Sequence, residues 1–483
     1  MKNITHILEC SRFAQKQWQD LGLGKRCFFF QKLKAEILKN LDDLARVISE
    51  ENGKPLLEAI SHDVLPVMDL IAYLCKNAKK FLRKEKICLG KWNLLGKSSH
   101  LEQEPYGVVG IISPWNFPFS IPVGEIVTAL IAGNAVILKP SEHTPRVNQK
   151  IKDLFQRIKF PENIFQMIEG GADVGATLVA SEVDKIMFTG SVLVGKKIMT
   201  ECAKTLKPLT LELGGKDPFL VFEDADLDVA SSAAVWGAFC NSGQVCSSVE
   251  RVYVQNAIME KFLNLVVEKT KKIRLEDLGP LTLDSQAEKV EQQLSQAKAK
   301  GAKILFGGER DGKNFSPTIL VNADHTMTIM KEETFGPVLP VMSFTTEAQA
   351  IQLSNDSPYG LNVYVWTKDR ARARRVAKQL QAGTININET VFTHALPQTP
   401  WGGVKQSGFG RTHGRLGLLD LVKVKHVHVN RCPKKKNFFW WYPYTNDKVQ
   451  MLRDLARALF GKGFKRVFAL VKFLRKSSKA KVD

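Results

Sequence analysis

Over residues 11–50 apolar side chains recur at helical spacing, at Leu33, Ile37, Leu41, Leu44 and Ile48, which predicts helices. Gly53-Lys54-Pro55 breaks that run, and the spacing returns over 56–83. Residues 86–103 alternate loosely around Gly90 and Gly96, the pattern of a hairpin or arm. From Gly107 the pattern changes. Short apolar runs from Gly107 to Ile112, from Ala135 to Leu138, at 164–168, at 184–188 and up to Leu213 read as buried strands. Helical segments at about 123–132, 145–158, 173–180 and 191–204 separate them. The second half repeats the style. Helix 226–239 leads into the segment of Cys246, followed by strand 250–254, helices 257–272 and 284–299 and strand 303–306. Helix 347–354, strand 361–366, helix 370–381 and strand 384–388 close the series. Such alternation predicts parallel βαβ units, hence an α/β fold of two doubly wound parallel sheets with a border near Leu213–Lys216. Ligands of such sheets bind beyond the carboxyl ends of strands, where the motifs below are expected.

The 483 residues are enough for two large domains, and 44% apolar with 24% charged residues is ordinary for a globular chain. Eight cysteines without a CxxC pair make neither a zinc site nor a disulfide framework, so no metal is expected. The first thirty residues show no signal-peptide pattern, and no stretch reaches the roughly 18 uncharged residues of a spanning helix. The expected compartment is the cytoplasm. Charge changes the picture in one place. Of the net +20, residues 431–483 hold +12, with 15 Lys and Arg against 3 acids. A mildly basic body therefore carries a strongly basic tail.

Several short segments carry candidate chemistry. In Asn241-Ser242-Gly243-Gln244-Val245-Cys246 a thiolate among small polar residues is a nucleophile for a carbonyl; alternatively Cys246 is a buried structural cysteine. In Leu211-Glu212-Leu213-Gly214-Gly215-Lys216 a half-desolvated carboxyl becomes a base near neutrality; alternatively Glu212 pairs with Lys216. Ser113-Pro114-Trp115-Asn116-Phe117-Pro118 holds one amide in a rigid loop, as an oxyanion donor or an Asx turn. Phe188-Thr189-Gly190-Ser191, with Gly195, opens a helix after a strand, where free N–H groups suit a phosphate. Lys139 and Glu142, ending another strand, suit ribose hydroxyls, and Glu333-Thr334-Phe335 lies in a polar loop that also reads as a plain turn.

Together and in this order, PWNFP, GNAVILKPSE, FTGS, LELGGK, GQVC and EETFGPV resemble the aldehyde dehydrogenase superfamily, from about residue 8 to residue 430. The resemblance implies Cys246 as nucleophile, Glu212 as the base for the deacylating water, and Asn116 with the Cys246 N–H at the oxyanion. It implies Lys139 and Glu142 at the adenosine ribose, and Gly190, Ser191 and Gly195 at the pyrophosphate-facing helix. It implies Glu333 at the nicotinamide ribose, and Phe335 and Trp115 beside the cofactor ring. The implied reaction takes an aldehyde to a carboxylate through a thiohemiacetal and a thioester, and Glu212 argues for hydrolysis over transfer to coenzyme A. Alternatives are a semialdehyde dehydrogenase of the same family or a non-catalytic structural relative. The cofactor is NAD, favoured by the Glu142 carboxylate, with NADP as the alternative. Domains follow: a dinucleotide-binding domain over 1–85 and 105–213, an oligomerisation arm and strand over 86–104 and 418–430, and a catalytic domain over 214–417. At Gly410-Arg411-Thr412-His413-Gly414 many members carry an acid where Thr412 stands; the His-Gly pattern is closer to the dimeric branch acting on aromatic and fatty aldehydes. Phe117, Phe119, Phe392 and Trp401 lean away from charged substrates. The expected assembly is a homodimer or homotetramer.

Residues 431–483 extend past that resemblance. They hold Lys434-Lys435-Lys436, then Phe438-Phe439-Trp440-Trp441-Tyr442-Pro443-Tyr444. Over 449–474 the spacing predicts one basic amphipathic helix, or two broken at Gly461 and Gly463. Leu452, Leu455, Leu459 and Phe460 form one stripe, and Phe464, Val467, Phe468, Val471 and Leu474 another. Such helices lie in membrane interfaces, here at the inner surface, or pack on the enzyme or a partner subunit. No nucleic-acid motif is present, and none is expected to bind.

Overall fold

The computed structural model describes residues 4–431 and 440–479. The chain divides into two compact units, one holding the residues up to Arg83 with Gln103–Val424, the other Lys84–Glu102 with the residues from Lys425 on. The first unit contains two sheets. Its six-stranded sheet runs Gly408–Phe409, Leu209–Leu213, Lys185–Gly190, Val108–Ile112, Ala135–Lys139, Phe165–Met167. Five of these strands are parallel, and Gly408–Phe409 pairs antiparallel at the edge. The seven-stranded sheet runs Lys303–Phe306, Thr318–Val321, Val338–Phe344, Val249–Gln255, Asp217–Val221, Asn362–Trp366, Thr384–Ile387. Its edge strand Lys303–Phe306 is antiparallel too. The expected parallel sheets are thus mixed, each with one reversed edge strand, a common ending for doubly wound sheets.

Buried strands in this fold are apolar on both faces, as at Val108–Ile112 and Ala135–Lys139, where every residue is buried. Helix Ser120–Ile131 packs against both of those strands and against helix Leu65–Phe81. It is covered all round, so all twelve of its residues are buried and eleven of them carry no charge. The exception is Glu125.

One expectation about placement needs correction. In the first sheet the motifs lie at carboxyl ends: Ser113 follows Val108–Ile112, Lys139 ends its strand, Ser191 follows Lys185–Gly190, and Glu212 is next to last in Leu209–Leu213. In the second sheet they lie at amino ends, because Cys246 precedes Val249–Gln255 and Phe335 precedes Val338–Phe344. The reason is the connection. Leu213 ends the last parallel strand of the first sheet and Asp217 opens a strand of the second, with Gly214-Gly215-Lys216 between. Three residues span only about 10 Å, so the carboxyl edge of one sheet meets the amino edge of the next.

The second unit holds Glu85–Ile87 and most of Lys97–Pro105 and of Val422–Asn430, strands of a three-stranded sheet with Lys97–Pro105 in the middle. Ser99 and His428 join its strands side chain to side chain at 2.8 Å. Two helices follow, Asn446–Phe460 and Phe464–Lys479, packed on each other with Gly463 at φ +63° between them. The Thr445 hydroxyl accepts from Lys448 N–H and caps the first. Met451, Asp454 and Ala458 form its buried side, with Leu455 and Leu459 half-buried and Leu452 and Phe460 exposed, so the expected stripe is split between inside and outside. Lys434, Lys435, Lys436, Phe438 and Phe439 lie outside the described residues, as does the side chain of Leu474.

Candidate active site

A cavity of about 270 Å³ opens between the two sheets of the first unit. Its lining brings together Trp115, Asn116, Gly190, Ser191, Glu212, Cys246, Glu333 and Phe335. Lys139, Glu142 and Gly195 do not line it. Lys139 and Glu142 form an ion pair at 2.6 Å beyond the neighbouring strand end, and Gly195 is on the buried side of the helix that Ser191 caps. A Cβ at Gly195 would stand 2.7 Å from Leu213, so glycine lets that helix lie close on the sheet.

Cys246 arrives through a contorted turn. Asn241, Ser242 and Gly243 take φ of +50°, +54° and +73° in succession, a costly conformation for a serine. Buried hydrogen bonds hold it. Asn241 N–H donates to the Glu58 carboxylate at 2.7 Å, and the Ser242 hydroxyl donates to the Leu278 and Gly279 carbonyls. Gly215 passes so close that a Cβ there would lie 2.5 Å from the Cys246 carbonyl. Burial pushes the Cys246 thiol up, and the charges of Asp217, Glu212 and Glu333 add to the shift.

Asn116 sits in a loop fixed from below. Its peptide carbonyl accepts from Lys54 Nζ at 2.8 Å and from Asn241 Nδ2 at 3.0 Å. Lys54 pairs with Asp63 at 2.6 Å, both side chains fully buried, and Asp63 accepts from the N–H groups of Phe119 and Ser120. The Asn116 amide donates to the Gln244 carbonyl at 3.0 Å. This contact spans the two halves of the chain and is not an Asx turn.

Glu212 is not paired with Lys216, whose ammonium goes to Glu250 at 2.6 Å and Thr334 at 2.8 Å. Both Glu212 oxygens are buried without a hydrogen-bond partner among the described residues. Burial first, then the charge of Glu125, push its carboxyl well above the usual range, with Arg411 opposing. Glu250 also accepts from the N–H groups of Thr334 and Phe335, which pins the loop carrying Glu333. The Glu333 carboxylate accepts from Gly215 N–H at 3.1 Å, and burial with the charge of Glu250 pushes it up to about 7. Phe335 meets Trp115 edge to face at 5.6 Å, so it is more than a turn residue.

Of the apolar loop residues, Trp401 lines the cavity. Phe119 is buried in the core, Phe117 lies under the Lys54 ammonium at 4.1 Å, and Phe392 is exposed. The sequence pattern did not single out Glu125 and His394 and gave Thr189 and His413 no role of their own, yet all four are in the lining. A lone acid in an otherwise uncharged apolar segment was the available signal for Glu125. His394 and His413 meet edge to face at 4.9 Å, and burial pushes their pKa values down to about 4 and about 3.

The model of the aldehyde dehydrogenase family matches residues 1–427. The 4,4'-diapolycopene aldehyde oxidase of Methylomonas sp. is 41% identical over 465 residues, covering 95% of this chain and 87% of that protein. The peroxisomal aminoaldehyde dehydrogenase 1 of Pisum sativum is 38% identical over 447 residues, covering 90% of this chain and 88% of that one. The crystal structure of betaine aldehyde dehydrogenase from Staphylococcus aureus in complex with NAD+ is 35% identical, with a TM-score of 0.85 over 90% of this chain and 88% of that one. By name, these three give no support to the dimeric aromatic and fatty aldehyde branch.

Proposed function

Since the chain belongs to the aldehyde dehydrogenase family, we propose that this cavity oxidises an aldehyde to its carboxylate through a thioester on Cys246. The Cys246 thiol gives its proton to solvent, and the thiolate bonds the carbonyl carbon to give a thiohemiacetal. The Asn116 amide and the Cys246 N–H donate to the oxyanion. Loss of hydride turns the thiohemiacetal into a thioester. Glu212, as the carboxylate, removes a proton from water as the water oxygen bonds the acyl carbon. The carbon–sulfur bond then breaks and its electron pair returns to sulfur. The observation that carries this reading is the pair of buried, unpartnered Glu212 oxygens in one cavity with Cys246. A base without a competing partner is free to act on water.

A nicotinamide dinucleotide, when bound, accepts the hydride. The residues present fit it. Gly214 leaves room beside Glu333, since a Cβ there would lie 2.4 Å from that carboxylate. In this reading Glu333 accepts from the nicotinamide ribose, and Phe335 and Trp115 flank the ring. Gly190 and Ser191 open helix Val192–Ala203 toward the pyrophosphate, with Gly195 letting it pack. Glu142, held by Lys139, accepts from the adenosine ribose and repels a 2′-phosphate, which favours NAD over NADP. The test is NADH absorbance with thiol labelling. The parent should form NADH, and Cys246→Ser should form none. Unchanged NADH formation by Cys246→Ser would end this reading.

A second observation bears on the substrate and its location. Residues 431–483 make up about a tenth of the chain. The similarity to the diapolycopene aldehyde oxidase covers 95% of the chain and so runs into these helices. There Phe464 is 94%, Phe460 78% and Phe468 65% exposed, beside the exposed cations Arg453, Arg457, Lys462, Arg466 and Lys472. No described helix is long and apolar enough to cross a membrane. Exposed aromatics flanked by cations match the interface of an anionic bilayer. We therefore propose that this cytoplasmic enzyme docks on the inner membrane surface and takes a long apolar aldehyde dissolved there. The exposed edge strand Val422–Asn430 supports assembly as a homo-oligomer. Full-length chain should sediment with anionic vesicles, and Phe460→Glu/Phe464→Glu/Phe468→Glu should remain in the supernatant. Equal, negligible sedimentation of both would refute the docking.

A further inference from the structure

Glu125 is the one charged residue of helix Ser120–Ile131, at the centre of the first unit. Its carboxylate accepts from the Ser113 hydroxyl at 3.1 Å and the Thr189 hydroxyl at 2.9 Å. No cation pairs with it among the described residues. A buried acid without a cation is costly, so a use for it is worth seeking. Its position supplies one. Thr189 stands in register with Glu212 on the adjoining parallel strand, and registered residues present their side chains on the same face. The hydroxyl that holds Glu125 is therefore next to Glu212. Both carboxyls line the same cavity, as do Thr128, Thr412 and His413. The charge of Glu125 acts directly on Glu212.

We propose that Glu125 receives the proton Glu212 takes from the deacylating water and returns it to solvent through the cavity they share. This rests on the reading of Glu212 as the deacylation base. After the carbon–sulfur bond breaks, Glu212 is a neutral acid and cannot activate another water. Transfer of that proton to the Glu125 carboxylate restores Glu212 as carboxylate and leaves Glu125 neutral. Release of the proton from Glu125 completes the cycle, with no change in electron count. Burial raises both carboxyls, and two carboxyls in one cavity hold one proton between them more readily than two charges. The other titratable groups of the cavity are Cys246, Lys289, Glu333, His394 and His413, while Arg411 and Asp420 act on Glu212. Glu125 thus works through Glu212 and touches no reacting atom.

The competing account is a clamp, with Glu125 only tying its helix to Ser113 and Thr189. Glu125→Gln separates the two, since the amide keeps the shape and can still bond both hydroxyls. With NAD and hexanal, quenched-flow mass spectrometry follows growth and decay of the acyl adduct on Cys246 between pH 6 and 9. The relay predicts a first adduct that forms and decays within about twofold of the parent, and in later turnovers decay slowed by at least about tenfold with one ionisation fewer in its pH profile. Unchanged decay in later turnovers with an unchanged profile overturns it, as does equal slowing of formation and decay from the first turnover on, which is the clamp. Should Glu125→Gln fail to fold, Thr189→Val serves, with slower decay expected in later turnovers and unchanged decay there overturning the proposal. Glu212→Gln run in parallel keeps the two readings apart. If its adduct decays at the parent rate, the base assignment fails; if it persists while Glu125→Gln behaves as the parent, the relay alone fails.

Discussion

Lys54→Met probes how the oxyanion loop is held. The ammonium makes three contacts: Asp63 at 2.6 Å, the Asn116 carbonyl at 2.8 Å and the Phe117 ring at 4.1 Å. Methionine keeps the stem and removes all three. Asp63 is then fully buried with no cation, though it retains the N–H groups of Phe119 and Ser120. Breaking one side of a buried pair typically costs about 3–5 kcal/mol. The two remaining N–H donors put the expected loss at the lower end, about 3 kcal/mol. Asn116 keeps only Asn241 on its carbonyl, so its amide drifts. A misplaced oxyanion donor should lower kcat/KM by roughly 10- to 100-fold, short of the full loss of the group. Lys54→Met/Asp63→Leu removes the stranded charge and should recover about half of the stability, on the order of 1–2 kcal/mol, without restoring kcat/KM. Urea denaturation and steady-state NADH formation measure both. A Lys54→Met chain within about 1 kcal/mol of the parent, with unchanged kcat/KM, would refute the reasoning.

Three further outcomes are expected. Asn116→Ala should lower kcat about 100- to 1,000-fold with little change in KM, read by NADH formation; a tenfold rise in KM at constant kcat would assign the amide to substrate binding. Glu142→Ala removes a charged hydrogen bond worth about 1.5–3 kcal/mol, so NAD should bind tenfold or more weakly and the NADP-to-NAD ratio of kcat/KM should rise; fluorescence titration with both cofactors decides. His413→Asn tests the buried rings. The folded pKa of His413 is depressed to about 3 from the ordinary value near 6.5, so the unfolded chain binds its proton first. The stability this group contributes is present above about pH 6.5 and is lost as pH falls toward its folded pKa. Thermal midpoints between pH 7.5 and 5 should fall less for His413→Asn than for the parent, and parallel curves would contradict this.

How much of this was legible in the sequence depends on the range of the forces involved. Fully buried parallel strands such as Ala135–Lys139 announce themselves as short apolar runs. Val338–Phe344 does not, because Pro340 argues against a strand interior, yet it sits opposite Leu320 in a parallel pair. Asp217–Val221 was hidden in the same way by Asp217-Pro218 at its start. Cys246, Glu212 and Asn116 stood out because each lies beside glycine or proline at an element end. Lys54 was visible only as part of a helix break, since its partners Asp63 and Asn116 are set by tertiary packing. In the tail, the break at Gly461 and Gly463 was readable. The inward face was not, because Met451, Asp454 and Ala458 were chosen by the neighbouring helix and not by hydropathy alone.

The most direct measurement is the intact mass and peptide map of Glu212→Gln after reaction with NAD and hexanal. The account predicts one NADH per chain, formed once, and a stable acyl adduct on Cys246 that the parent does not accumulate. Continued NADH formation at the parent rate, or an adduct confined to any other cysteine, would contradict it.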